Sequence, residues 1–181
     1  MISPADPTLP AGFRFALDNG AWSAFQTQTD FNEAAFLSAF DRFGALADWC
    51  VLPDIVAGGL ASLNFSLGFL DRCRGAGLLL IAVQNGMRPG DVSRYLGRQV
   101  GIFIGGDTQW KEETAAVWGG LAADRGCYLH MGRVNSQRRI RIAQAAGCDS
   151  VDGSGPSRFC AVLPRLDSMI RQGSFSCCVA N

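Results

Sequence analysis

Three aspartates in this 181-residue chain each close a short apolar run. Asp18 follows residues 15–17, Asp54 follows residues 49–53, and Asp152 follows a serine and a valine. A carboxylate at such a position can act as a nucleophile, as a general acid or base, or as a hydrogen-bond acceptor for a ligand. Any one of these aspartates alone is more simply explained as a cap of the next helix. Three of them in one chain favour a site.

Amide and glycine residues follow two further apolar runs. Gln84 and Asn85 come after the most apolar run of the chain, and Gly105 and Gly106 come after the next one. An amide group offers both a donor and an acceptor, so it can recognise the edge of a ligand. Paired glycines allow the backbone to approach a ligand closely. A plain turn remains the alternative interpretation for both pairs.

Histidine, arginine and aromatic residues are further candidates. His130, the only histidine, lies inside an apolar run and is either a hydrogen-bonded core residue or a ligand contact, whereas Arg133 follows that run. Trp22 and Phe25 come shortly after Asp18, where they stack on a base or pack in the core. Three more basic residues open a helical segment and either face phosphate or lie in solvent, namely Arg138, Arg139 and Arg141.

The secondary-structure elements that must position these residues follow one repeating pattern. Continuous apolar runs, typical of strands buried on both faces, alternate with helix-length segments. Six such units in succession predict a parallel sheet, because each parallel pairing needs a crossover. Amphipathic patterns predict helices over residues 31–46, 110–125 and 136–146. Their N-caps are predicted at Asp30, at Thr108, and at Asn135 or Ser136.

This pattern is compatible with two architectures, an open doubly wound sheet and a closed barrel. The phosphate fingerprint GxGxxG is absent after the first strand, which disfavours a dinucleotide-binding sheet. Polar residues at nearly every strand end favour a barrel, whose loops converge on one mouth. Barrels of this type usually need about 200 residues or more. We therefore expect a single α/β domain over residues 1–181, a minimal or incomplete parallel (β/α) barrel of the TIM type, with a further strand from residues 174–180.

Composition narrows the class of protein. The chain is 48% hydrophobic with 22 glycines, which is typical of a compact fold with many tight turns. The 16 basic and 16 acidic residues cancel, so the totals carry no strongly basic nucleic-acid footprint. Lys111 is the only lysine, and the other basic residues are arginines, whose planar guanidinium suits carboxylate or phosphate.

The cysteines and the N-terminus bear on the compartment. Seven cysteines, an odd number mostly within apolar runs, indicate buried thiols in a reducing cytosol. A zinc site is disfavoured because no CxxC motif occurs and only one histidine is present. The N-terminal segment has neither the basic flank nor the apolar core of a signal peptide. We expect a cytoplasmic protein with no membrane span, no metal and no cofactor.

Five of these segments, in order, carry a family resemblance. Residues 17–22 are similar to the "DSGGF" loop of the tRNA-guanine transglycosylase superfamily, and residues 51–54 are similar to the strand that ends in its base-recognising aspartate. Residues 82–86 resemble its "VQGG" segment, and residues 104–106 resemble its glycine-rich loop. Residues 150–158 lie where that family has its nucleophile segment, "FDCVLPTR". The resemblance is strongest to short bacterial and phage members related to the enzymes that insert 7-deazaguanine bases into DNA.

The resemblance implies a chemistry and a role for each residue. Asp152 would attack the anomeric carbon of a guanosine and hold the nucleic acid as a covalent ester, while Asp18 would move the proton of the leaving and incoming bases. The implied substrate-binding residues read the base or hold the sugar–phosphate backbone, and they are Asn19, Asp54, Gln84, Gly105, Gly106, His130, Arg133 and Arg158. The implied partners are DNA or RNA, whose target base leaves its stack, and a 7-deazaguanine-type base.

Departures from the family pattern favour DNA over tRNA. The tRNA enzymes carry a cysteine-rich zinc site near the C-terminus, whereas this tail has only Cys177 and Cys178 without a nearby histidine. Two other functions stay open at this point. One is a non-catalytic shortened barrel that binds a deazapurine or single-stranded nucleic acid, and the other is an unrelated barrel hydrolase acting on a small phosphorylated sugar. A homodimer or a partner protein would supply missing recognition surface.

Overall fold

The protein is described by a computed structural model that covers residues 1–5, 12, 14–75, 77–153 and 176–177. Within these residues, six strands form one parallel sheet in the order of the chain. The strands are β1 (Cys50–Val51), β2 (Leu79–Val83), β3 (Val100–Ile104), β4 (Leu129–Met131), β5 (Ser150–Val151) and β6 (Ser176–Cys177). The predicted parallel α/β architecture is confirmed, and β6 lies in the segment expected to supply a further strand.

Helices connect successive strands and cover the outer face of the sheet. In the described part of the chain they are α1 (Ala21–Thr27), α2 (Glu33–Phe43), α3 (Gly59–Cys73), α4 (Pro89–Val92), α5 (Thr108–Arg125) and α6 (Gln137–Ala145), with a 3-10 turn at Ser93–Tyr95. The three helices predicted from amphipathic patterns correspond to α2, α5 and α6. The pattern did not separately predict α1 and α3.

Two of the predicted N-caps are wrong. The side chain of Asn32, not Asp30, accepts the Ala35 N–H at 2.9 Å and caps α2. The side chain of Asp107, not Thr108, accepts the Trp110 N–H at 2.9 Å and caps α5. In both places two cap-forming residues lie close together in the sequence, and the one whose oxygen reaches the free N–H of the first turn is the cap. For α6, Ser136 is the cap, as predicted.

The first predicted strand is reduced to single bridges. Leu17 pairs in parallel with Cys50 on one side and with Ile2 on the other. Four backbone hydrogen bonds of 2.8–3.0 Å support this arrangement, from Ile2 to Ala16, from Asp18 to Ile2, from Leu17 to Trp49 and from Val51 to Leu17. The chain thus extends the sheet beyond β1 through very short pairings, as expected for a minimal barrel.

The sheet is strongly curled. Trp49 immediately precedes β1 and His130 lies in β4, so three strand spacings separate them, about 14 Å in a flat sheet. Their ring centroids are nevertheless only 4.5 Å apart. Phe103 of β3 packs against the same histidine, with its ring 4.9 Å from the His130 ring and 6.4 Å from the Trp49 ring. Side chains from distant strands therefore meet inside the concave face, which is consistent with a minimal, incomplete barrel.

Alternating strand residues build two separate cores. In β2, Leu80 and Ala82 point into the concave face, where they pack with Trp49 and Val51. Their neighbours Leu79, Ile81 and Val83 belong to the larger core between the sheet and the helices. The inner core supports the ends of the strands from below, and the outer core fixes the helices that begin after each strand-end loop.

Two adjacent glycines of α5 test the packing of the outer layer. A Cβ on Gly119 would lie 2.0 Å from the carbonyl oxygen of Ala146 at the end of α6, whereas a Cβ on Gly120 would meet nothing within 4 Å. We expect Gly119→Ala to lower the free energy of unfolding by about 1–3 kcal/mol through overpacking. Gly120→Ala should raise it by about 0.5–1 kcal/mol, because alanine favours the helix. Urea denaturation of both variants measures the contrast, and equal effects would contradict this packing.

Candidate functional site

The loops after the strands converge on one cavity of about 480 Å³ at the mouth of the curled sheet. This volume lies within the range of small-molecule sites. All three predicted carboxylates line it, namely Asp18, Asp54 and Asp152. The other predicted residues that line it are Asn19, Trp22, Phe25, Gln84, Asn85, Gly105, Gly106 and Arg133. The fold therefore brings together side chains that are up to 134 positions apart in sequence.

Asp152 is held as a carboxylate by its neighbours. It follows β5, and its Oδ1 accepts hydrogen bonds from His130 Nε2 at 2.9 Å and from the Arg133 N–H at 3.2 Å. Burial alone would raise the pKa of Asp152, but the hydrogen bond and charge of His130, the Arg133 N–H and the charge of Lys111 together bring the pKa below its ordinary value. Both donors approach the same oxygen, so neither occupies Oδ2.

Asp18 has the opposite protonation preference. It lies directly after the Leu17 bridge, and its Oδ1 accepts the Asn19 N–H at 2.9 Å. Burial raises the pKa of Asp18, and the negative charge of Asp152 raises it further, against the lowering effect of the backbone hydrogen bonds. Two carboxyl groups of one cavity are thus driven apart in pKa. Such a pair can supply a proton from one member and a nucleophile from the other.

The opposite wall is built around Asp54. Its Oδ1 accepts a hydrogen bond from Asn19 Nδ2 at 2.7 Å, and its Oδ2 accepts one from Gln84 Nε2. Burial raises the pKa of Asp54 to about 6, although these two amide donors lower it in part. Gln84 is itself fixed, because its Oε1 accepts the Gly58 N–H at 3.2 Å and its Nε2 also contacts Ser62 Oγ at 3.2 Å.

Asn19 links the loop that carries Asp18 to Asp54 and to the end of β1. Its side chain is buried, its Nδ2 also donates to the Leu52 carbonyl at 2.7 Å, and its Oδ1 accepts the Ala21 N–H at 2.9 Å. Every polar atom of this amide therefore has a partner. The Asp18 loop is tied by Asn19 to the end of β1, which fixes the spacing between Asp18 and Asp54.

The glycine pair after β3 brings backbone to the cavity wall. Gly106 has a φ of 70°, which favours glycine, and a Cβ there would lie 2.6 Å from the Trp110 ring and 2.7 Å from Asn85 Oδ1. The Gly105 N–H donates to the Val83 carbonyl at 2.9 Å. A side chain is excluded at Gly106 by geometry, so a ligand there would meet peptide groups.

Arg133 lies at the rim of the cavity. Its guanidinium lies 4.4 Å from the centroid of the Trp22 ring and donates to the Gly106 carbonyl. Trp22 in turn stacks with Phe25 at 5.6 Å, and both aromatic rings line the cavity. The aromatic residues near Asp18 are therefore at the site rather than in the core, with Phe25 55% exposed.

The remaining predicted residues lie elsewhere. His130 is completely buried, between Trp49 and Phe103, with Nδ1 2.7 Å from Ser150 Oγ and Nε2 on Asp152, so it contacts the site through that carboxylate. Arg158 lies outside the described residues. Arg138 and Arg139 both pair with Glu112, at 2.9 Å and 3.2 Å.

The sequence pattern did not identify Lys111 as a buried residue near the site. This lysine of α5 is 1% exposed, and its Nζ donates to the Gly132 carbonyl at 2.6 Å. Its position as the single lysine of the chain was the only available signal. Asp107 was also missed as a cavity residue, since it lines the rim as well as capping α5.

Replacing Asn19 by aspartate should break the link between the two walls. Asn19→Asp removes both Nδ2 hydrogen bonds and sets a second carboxyl beside Asp54, so we expect a loss of about 2–3 kcal/mol in unfolding free energy at pH 8. The loss should be smaller at pH 5, because the crowded carboxyl has a folded pKa above its unfolded value and is protonated there. Denaturant unfolding at both pH values measures this. The exposed Asn64→Asp on α3 is the control, and an equal effect of the two changes would contradict the structure.

Within the ranges that the structure describes, no helix is both long and apolar enough to cross a membrane. In the same ranges, no three histidine, cysteine, aspartate or glutamate side chains group as metal ligands. Comparisons with models of protein families, with curated proteins and with solved structures find no match. The geometry of the cavity and the residues that line it are therefore the basis for a functional assignment.

Proposed function

We propose that this protein is a guanine transglycosylase, which exchanges guanine in nucleic acid, with DNA favoured over tRNA, for a 7-deazaguanine base. The observation that carries the proposal is the pair Asp18 and Asp152, which line one cavity of about 480 Å³, large enough to admit a purine, and whose pKa values are moved in opposite directions. The proposal includes a barrel of the TIM type, in which Ile2 and Leu17 provide two short strand positions before the six strands.

The first half of the reaction forms an ester. Oδ2 of Asp152 attacks C1′ of the target nucleotide, and the bond from C1′ to N9 breaks with its electron pair on guanine. Asp18, whose raised pKa favours its protonated form, donates its proton to the leaving base. The His130 and Arg133 contacts stabilise the charged form of Asp152 before attack and orient its free oxygen. One difficult substitution is thus divided into two easier steps.

The second half reverses the roles. The incoming 7-deazaguanine base gives its N9 proton to Asp18 as N9 attacks C1′, and the ester bond breaks with its electrons returning to Asp152. Two inversions at C1′ leave the configuration of the sugar unchanged. The enzyme returns to its starting protonation state, so no cofactor is required by the balance of atoms and charges.

Asp54 is suited to select guanine. An ionised carboxylate accepts hydrogen bonds only, and guanine offers two adjacent donors, N1–H and the 2-amino group, where adenine does not. Gln84 and Asn19 hold both carboxylate oxygens of Asp54 in place without donating charge. The Gly105–Gly106 backbone supplies further donors and acceptors to the base edge.

The nucleic acid would reach the site with the target base out of its stack. Arg133 and Arg158 are proposed to contact the sugar–phosphate backbone, and Trp22 offers an aromatic face at the rim. The cavity carries several carboxylates, which repel phosphate. A homodimer or a partner protein that adds basic surface therefore fits the proposal.

The decisive variant is Asp152→Asn. It keeps the size of the side chain and removes the nucleophile, so exchange of labelled guanine into a guanine-containing single-stranded DNA or RNA should fall by at least about 10³-fold. A denaturing gel of the wild type should trap a covalent adduct that the variant lacks. Asp71→Asn, at an exposed ion pair with Arg74, is the control. Exchange by Asp152→Asn at the wild-type rate would contradict the mechanism, and purine binding without exchange or adduct would indicate a non-catalytic module.

The binding of the free base should depend on pH through Asp54. Since the pKa of Asp54 is raised to about 6, its acceptor form is lost as the pH falls through that value. Calorimetric binding of 7-deazaguanine should be about tenfold weaker at pH 5 than at pH 7. Asp54→Asn should bind weakly at both pH values. A wild-type affinity that does not change between pH 5 and pH 7 would contradict this role.

A further inference from the structure

One peptide group lies between a buried cation and the proposed nucleophile. The carbonyl of Gly132 accepts a hydrogen bond from Lys111 Nζ at 2.6 Å, and the N–H on the other side of the same peptide bond, that of Arg133, donates to Asp152 Oδ1 at 3.2 Å. The peptide dipole is thus aligned, with its oxygen toward the ammonium group and its N–H toward the carboxylate. Each charge favours the orientation that the other one requires.

This peptide group is in a conformation that needs support. Arg133 has a φ of 57°, in the left-handed region that residues with a side chain rarely adopt. Gly132 has no room for a side chain, because a Cβ there would lie 2.6 Å from the Phe103 ring. Arg139 Nη1 donates a hydrogen bond to the Arg133 carbonyl at 3.3 Å, and the Val134 N–H donates one to the Asp152 carbonyl at 2.6 Å.

Lys111 occupies its position at an energetic cost. Its side chain is 1% exposed, and burying an amine is unfavourable unless the charge finds partners. Burial, with the charge of Arg133, lowers the pKa of Lys111 to about 7, while Asp152 acts in the opposite direction. The charged groups that face it come from the loops after β3, β4 and β5 and from α6, and they are Asp107, Arg133, Asp152 and Arg139. An apolar side chain would fill the same space without this cost.

We infer that Lys111 is a positioning residue for Asp152, which acts through the Gly132–Arg133 peptide to keep an N–H donor directed at Oδ1. Its consequence for catalysis rests on the proposed function, since Asp152 is the nucleophile only there. The electrostatic coupling between Lys111 and Asp152 does not depend on that function and can be measured without substrate. Lys111 itself is not among the residues that line the cavity.

The coupling can be read from a single signal. Because Lys111 is the only lysine, the full chain labelled with ¹³Cε-lysine gives one lysine resonance, whose shift follows the titration of the amine. Asp152→Asn removes the facing negative charge, so the Lys111 midpoint should move down by about one pH unit. Asp71→Asn, at an exposed ion pair, should leave the midpoint unchanged. An unchanged midpoint in Asp152→Asn would overturn the inference.

Kinetic variants test the positioning role. Lys111→Met keeps an unbranched side chain and removes the charge, so kcat for guanine exchange should fall about tenfold or more, and the acid limb of its pH profile should move upward. The KM for the free base should not change, because Lys111 does not contact the cavity. Lys111→Arg, which keeps the charge, should restore the acid limb in part. A Lys111→Met profile identical to the wild type overturns the role.

Failure of the proposed function and failure of the inference on Lys111 can be distinguished. If the wild type exchanges no guanine, the proposed function fails while the ¹³C titration still decides the coupling of Lys111 to Asp152. If exchange occurs and Asp152→Asn leaves the Lys111 midpoint in place, the inference fails and the proposed function stands. If Lys111→Met does not fold, the labelled wild type and Asp152→Asn give the result alone.

Discussion

The curl of the parallel sheet is the constraint on which the site depends. Strands in chain order place every strand-end loop at one edge, but a flat sheet would leave Asp18 and Asp152 at its opposite sides. The contact of Trp49 with His130 across three strand spacings measures how far the sheet has closed. Packing within this inner aromatic layer stabilises the curvature. The curvature in turn brings Asp152 close enough to raise the pKa of Asp18.

Much of this arrangement could be predicted from the sequence. Continuous apolar runs that end in polar residues predict buried parallel strands, and such strands place Asp18, Asp54, Asp152 and Gln84 at one edge of the sheet. The curl of the sheet then brings them to one mouth. The caps were less predictable. Asp30 and Asn32 are both cap-forming residues, and the choice between them depends on where the helix axis begins, which is set by packing on the sheet.

The environment of each carboxylate could not be predicted, because it depends on contacts between distant segments. His130 is either a core residue or a ligand contact by its sequence alone, and only the register of β4 with β5 sets it against Asp152. Lys111 lies in helix α5, and a charged side chain on a helix is usually in solvent. It is buried because α5 packs against α6 and the loop after β4 passes over its side chain. The protonation preferences follow from this three-dimensional arrangement.

The order of pairing also has a consequence for synthesis. Each strand pairs with the one made just before it, so the sheet can grow in the direction in which the chain leaves the ribosome. The Asp18 loop can therefore dock early, through Asn19, against β1 and Asp54. The segment that carries Asp152 joins only after β4 is in place, and the edge of β5 is covered only when Ser176–Cys177 has emerged. A nascent chain thus has the wall around Asp54 well before Asp18 and Asp152 can meet across the cavity.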